Sequence, residues 1–240
     1  IKNIIKNSRE IDEYNELKKI IHENIEEEKS ENNKVKIKME LGGIDLNNIS
    51  YKYKERLEEG IKKINLKIEH NQKIGLTGKN ASIISSLLTL QVKPDEGQIL
   101  IDKMPLEKVS ENNVTLINPF NHLMLGSLYQ NIFGFTQADE EYQEKLLEKS
   151  KIDIKKFPME LNTIIHEKSE VISRTEKVKI LIARLLVEQP KITILENTFW
   201  PFSNKTANEL LEMLIEETET LILISNNMEL LAKMDKVFKL

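Results

Sequence analysis

The chain has 240 residues, 40% hydrophobic and 31% charged, enough for one large α/β domain or a domain with an appendage. A formal net charge of −4 supplies no basic field for nucleic acid, and runs such as Glu26-Glu27-Glu28 read as solvated surface. With no Cys, disulfides and thiolate metal sites are excluded; four scattered His argue against zinc, and no apolar run reaches the roughly 18 residues of a membrane span.

In chain order, Ile4, Ile5, Ile11, Tyr14, Leu17, Ile21 and Ile25 recur at helical spacing with no Gly or Pro between them, predicting one long amphipathic helix. The polar run 29–34 suits a linker, so residues 1–34 read as a helix and linker ahead of a domain at 35–240. The chain begins at Ile1 with neither Met nor a leader-like segment, which predicts a piece of a longer protein.

From Val35 the period changes. Val35, Ile37, Met39 and Leu41 alternate with charged residues, Ile44-Asp45-Leu46 and Ile49–Tyr53 alternate again, and Ile64–Ile68 continues the pattern after a break, predicting strands of an antiparallel meander. A turn is expected at Glu69–Gln72. Lys73-Ile74-Gly75-Leu76 then predicts a strand running into a Gly-containing loop and a helix over Ile83–Leu88.

That loop has the frame of a phosphate-binding loop, G-x-x-x-x-G-K-[ST], starting at Gly75. In a working loop the backbone N–H groups and the Lys hold phosphates, and the Ser/Thr hydroxyl holds Mg²⁺. Here Asn80 stands at the second Gly, Ala81 at the Lys, and Ser82 keeps the hydroxyl ahead of Ile83.

Strands are expected at Ile99–Ile101 and Val114–Ile117, and helix-forming, charge-rich sequence over 138–175 with Tyr142, Leu146 and Leu147 as its apolar positions. Val178, Leu181, Ile182, Leu185 and Leu186 form one helical stripe ended by Pro190, ahead of a buried parallel strand at Ile192–Leu195. A helix over Leu210–Ile215 and a strand at Leu221–Ile224 complete a β-α-β alternation, which predicts a parallel sheet flanked by helices.

From about residue 36 to Leu240 the chain resembles the nucleotide-binding domain of ABC transporters of exporter type. The stretches that carry the resemblance are Ile49–Tyr53, Lys73–Ile83, Pro94–Asp102, Gly126–Ile132 and Ile182–Leu195, in that order. It implies a P-loop NTPase core of α/β class with an antiparallel β subdomain and a helical subdomain at about 136–176. It also implies that residues 1–34 are the tail of a last transmembrane helix.

The resemblance further assigns roles. Tyr53 would stack on adenine, and its ring can do so as it stands; a strand Tyr that simply packs its ring is the plainer reading. Gly75, Gly78, Lys79, Asn80, Ala81, Ser82 and Ile83 would form the nucleotide loop. Asn80 puts a side chain where phosphate approaches. Ala81 cannot neutralise phosphate, and a lost charge-assisted contact costs about 1.5–3 kcal/mol. Lys79 falls at a position without the Lys role. The Gln linking Mg²⁺ to the membrane domain falls at Pro119, which has no amide to offer. The signature L-S-G-G-Q falls at Ile172-Ser173-Arg174-Thr175-Glu176: both glycines are replaced and Glu176 brings negative charge to an anion site, while Ser173-x-x-Glu176 reads as a helix capping box. The strand-end Asp-Glu is Glu196-Asn197; Glu196 with Ser82 would be the residual Mg²⁺ ligands, and Asn197 cannot act as the general base, a contribution of about 10²–10⁴-fold in rate. The communication-loop Asp is Ser203, within the aromatic run Phe199–Ser203, and the switch His is Asn226.

Together these departures imply a pseudo-ATPase with no catalytic residue retained, serving a structural or regulatory role in transport, with ATP and Mg²⁺ binding weakened or abolished. An ATP-binding, non-hydrolysing dimerisation module is the alternative, and a slow ATPase powering export the third reading. The implied partners are a transmembrane domain and a second nucleotide-binding domain, in a homodimer or heterodimer at the cytoplasmic face of the membrane. Nucleic acid is not among them.

Overall fold

The computed structural model describes residues 39–53, 60–109, 113–166 and 172–240. The helix, the linker and the alternating positions Val35 and Ile37 expected within residues 1–38 lie outside the described residues.

The described chain opens with β1 (Ile44–Tyr51), β2 (Ile61–Ile68), β3 (Lys73–Thr77), α1 (Ser82–Leu88), β4 (Glu96–Ile101), β5 (Met104–Pro105) and β6 (Val114–Ile117). There follow β7 (Gly126–Ser127), α2 (Leu128–Phe133), α3 (Glu140–Lys149), β8 (Ile164–Ile165), α4 (Arg174–Glu188), β9 (Ile192–Glu196), α5 (Asn204–Glu217), β10 (Thr220–Ile224), α6 (Met228–Leu231) and β11 (Lys236–Lys239). Among the described residues, β2-β1-β4-β5 make an antiparallel sheet and β11-β3-β10-β9-β6 a parallel one, with β7 and β8 paired separately.

The two stretches expected as separate strands, Ile44–Leu46 and Ile49–Tyr53, are one strand carrying a bulge. Register slips between Leu46 and Ile49, where Asn48 takes φ 53° and its N–H donates to Asn65 Oδ1 at 2.9 Å. The extra residue lets Ile44, Leu46 and Ile49 all face the core, which breaks the period-two pattern in the sequence. Leu41 belongs to no strand. The N–H groups of Glu40, Leu41, Gly42 and Gly43 converge instead on the Asp102 carboxylate at 2.8–3.1 Å.

The parallel sheet is buried on both faces, as a near-continuous apolar strand such as Ile192–Leu195 requires. Ile192 and Ile194 of β9, Ile222 and Ile224 of β10, and Ile74 and Leu76 of β3 join one core with the antiparallel sheet and α1. Leu195, Leu221 and Leu223 face the other core, with α4 and α5. Helix α4 buries the expected stripe of Val178, Leu181, Ile182, Leu185 and Leu186, and Ile180 and Ala183 besides. It ends at Glu188 because Gln189 turns left-handed (φ 45°, ψ 59°), with Pro190 behind it.

Among the described residues of 138–175, the expected helix is met by α3, capped by Asp139, and by the first residues of α4, with Leu146 and Leu147 buried as expected and Tyr142 exposed. Lys151 is left-handed (φ 57°), Asp153 caps a 3-10 turn at Ile154–Lys156, and a second turn at Glu160–Asn162 leads to β8. Among the described residues no helix is long and apolar enough to cross a membrane.

Candidate functional site

The loop after β3 is tied into the chain at several of its positions. Gly75 lies within β3, where an added Cβ would come within 2.7 Å of Leu231 and 3.1 Å of Val237. Gly78 takes φ +108°, and a Cβ there would meet the Leu240 carbonyl at 2.1 Å; Leu240 N–H also donates to Thr77 O at 2.8 Å. Both glycines are thus required by packing against α6, β11 and the residue after it. Lys79 is exposed. Asn80 Nδ2 donates to Gly60 O at 3.2 Å, tying the loop to the start of β2. Ala81 is only 2% exposed and packs into the core with Ile83.

Ser82 is the first residue of α1, and its carbonyl accepts from Ser86 Oγ at 3.3 Å. One turn further, buried Ser85 places its Oγ 2.6 Å from Glu196 Oε2 and 2.8 Å from Ser82 O. Its single proton goes to the carboxylate, the charged and closer acceptor. Glu196, at the end of β9, is therefore brought to α1, as the family pattern implies, and its first partner is Ser85. Asn197 follows in left-handed conformation (φ 48°), its N–H bonded to Ile224 O at 2.9 Å, which locks the ends of β9 and β10 together. Asn226, beyond β10, accepts from Thr77 Oγ1 at 3.1 Å. Tyr53 is half-buried, its ring edge-on to Tyr51 at 5.6 Å between centroids.

Signature positions build a helix start. Ser173 caps α4: Glu176 N–H donates to Ser173 Oγ at 3.2 Å, and Ser173 N–H donates to Glu176 Oε2 at 3.0 Å. Thr175 Oγ1 lies 2.9 Å from Ser173 Oγ, and Ile172 packs against the core. The Arg174 guanidinium lies 5.2 Å over the Trp200 ring. Ser203 caps α5, accepting from Thr206 N–H at 3.3 Å.

A cleft of about 490 Å³ brings Pro119, Arg174, Glu196 and Asn197 together with Phe120, Lys177 and Trp200. Lys177 Nζ donates to Pro119 O at 3.4 Å, and burial holds its ammonium below the usual Lys value. A smaller pocket of about 270 Å³ joins Asn197, Trp200 and Asn226. No residue of Gly75–Ile83 lines either one.

Sequence reasoning missed Ser85, Lys177 and Asn131. Ser85 and Lys177 stand one turn beyond Ser82 and Ser173 on their helices, and that spacing was the available signal. Asn131 lies in the Gly126–Ile132 stretch, but its partners leave no sequence pattern: it is fully buried, bonds Met124 N–H and O and Ser127 O, and receives Arg184 Nε at 2.8 Å on its carbonyl and Nη2 at 2.9 Å on Oδ1. It thereby joins α2 to α4. Among the described residues no group of three or more His, Asp or Glu is arranged to hold a metal.

The model of the ABC transporter family matches residues 61–199, more than half of the chain. The ATP-dependent lipid A-core flippase of Escherichia coli (strain K12) is 26% identical over 226 residues, 88% of this chain and 38% of that protein. Its counterpart in Shigella flexneri matches to the same extent. The chain thus spans 38% of the length of these curated relatives. A bacterial Atm1-family ABC exporter solved with ATP bound shares the fold, with a TM-score of 0.75 at 20% identity over 87% of this chain and 38% of that one.

Proposed function

The chain belongs to the ABC transporter family, and from that premise we propose that it is the nucleotide-binding domain of an exporter-like membrane transporter that has given up ATP hydrolysis for a structural or regulatory role. The observation that carries this reading is Ala81, 2% exposed in the core at the position from which a Lys would reach phosphate.

The residues around it do not fit a Mg²⁺-nucleotide cradle. The Asn80 amide donates to Gly60 O, and Glu196 Oε2 accepts from Ser85 Oγ. Next to Glu196, Asn197 offers an amide that cannot take a proton from water. Pro119 and Asn226 likewise lack the donor and the charge that the family pattern supplies. No hydrolytic step is therefore derived for this chain. A transmembrane domain, a second nucleotide-binding domain as dimer partner and a place at the cytoplasmic face of the membrane belong to the same proposal.

Phosphate release from Mg-ATP tests it: background rates are expected, and turnover near about 1 s⁻¹ that follows the protein through further purification would overturn it. The half-exposed Tyr53 ring and the retained Ser82 hydroxyl favour a second reading, ATP held without turnover as a ligand that locks a dimer. Titration with a fluorescent nucleotide separates the two. Saturable binding below about millimolar supports the second, and none removes it.

A further inference from the structure

The cleft beside Trp200 is built from residues that depart from the family pattern. Arg174 stands at a signature glycine, Pro119 at the Gln, and Trp200 in the aromatic run that replaces small residues. Its volume of about 490 Å³ falls in the range of small-molecule sites, which pair apolar walls with a few placed charges.

The walls are aromatic and open to solvent: Trp200 is 54% exposed and Phe120 80%. The charges are of mostly one sign. Arg174 and Lys177 enter from the first turn of α4, against the single carboxylate of Glu196, which already accepts the Ser85 proton. Glu176 is not in the lining, and its carboxylate is bonded to Ser173. A guanidinium over an indole face keeps its in-plane N–H groups available for an anion, so its position over Trp200 leaves Arg174's anion-binding capacity intact. Lys177 supplies a second donor, drawn toward the cleft by the Pro119 carbonyl.

We propose that this cleft binds a small planar aromatic anion, its ring against Trp200 and Phe120 and its charge between Arg174 and Lys177. The site uses no residue of the Gly75–Ile83 loop, while Pro119, Glu196 and Asn197 of its lining also stand at positions the family pattern gives to Mg²⁺ and hydrolysis.

Trp200 is the sole tryptophan of the chain, so its fluorescence reports on the cleft directly. The full chain is titrated with phenyl phosphate, with inorganic phosphate and benzyl alcohol as probes of charge and ring alone. A saturable change with phenyl phosphate is expected, each control binding about tenfold more weakly or less, because ring and charge contribute separately. Arg174→Gln and Lys177→Gln should each weaken binding by about tenfold, as expected for loss of one charge-assisted contact. Circular dichroism checks that both variants are folded, and the Lys177 variant leaves the α4 cap and the Arg174–Trp200 contact in place. No saturable response up to about 10 mM, equal binding of either control, or binding that survives both substitutions would overturn the proposal. So would binding lost in Ser82→Ala and retained in the two cleft variants, since that would move the ligand to the loop.

Discussion

At the residue scale, the loop after β3 is fastened within the chain at the two positions where a working phosphate loop carries Gly and Lys. Asn80 donates to Gly60 O and Ala81 fills core volume. The double variant Asn80→Gly with Ala81→Lys restores a charged contact of about 1.5–3 kcal/mol, so nucleotide affinity should rise roughly tenfold to a hundredfold. Phosphate release should stay at background, because Asn197 still cannot serve as base; binding and turnover assays on one preparation check both. Hydrolysis in that variant without Asn197→Glu would show that Asn197 is not what blocks turnover. The motif positions were legible in the sequence because the loop, strand ends and helix start recur at fixed places along it. Their partners were not. The Ser85–Glu196 bond joins residues 111 positions apart, and only the register of β9 beside α1 brings them together.

At the element scale, α4 keeps its start for mechanical reasons. The reciprocal Ser173–Glu176 bonds satisfy donors at a helix that carries much of one core. Ser173→Ala should destabilise the fold by about 1 kcal/mol, within a range of 0.5–2, read as a lower urea midpoint with an unchanged slope. This helix, the strands β3, β6, β9 and β10 and the parallel sheet were legible because period and capping agreed along the sequence. Residues 150–166 were not. Their charge-rich composition suggested helix, whereas Lys151 and Asp153 divert the chain into turns that bury Ile152 and Phe157. The two-residue strands β5, β7 and β8 are too short for any pattern to register.

At the scale of the whole molecule, Asp102 holds the chain's entry to β1 against the antiparallel sheet. Burial acts to raise its pKa and is outweighed by N–H donation from Gly42, Leu41, Gly43 and Glu40, so the carboxyl stays below the usual Asp value. A depressed folded-state pKa means that the contribution is complete above the unfolded value near 4 and fades as pH falls through the folded one. Asp102→Asn should therefore be less stable than the parent at neutral pH. The gap should close on acidification below about pH 4, as followed by urea unfolding at a series of pH values. A gap that persists unchanged in acid would mean that the charge of Asp102 is not what holds the strap.

The order of the parallel sheet also governs how the protein comes into being on the ribosome. Strand β3 lies between β10 and β11, and Lys73 reaches a carbonyl 145 positions further along the chain. At about 5–20 residues per second, the nascent chain spends roughly 7–30 s with β3 made and both its neighbours still unsynthesised. Through that interval two open strand edges and the apolar Ile74 and Leu76 are exposed to other chains. The antiparallel sheet can close much earlier, since β1, β2 and β4 are all complete by Ile101. The early product is thus a half-core waiting for its lid, and the need for chaperone cover falls in that window rather than in the finished fold.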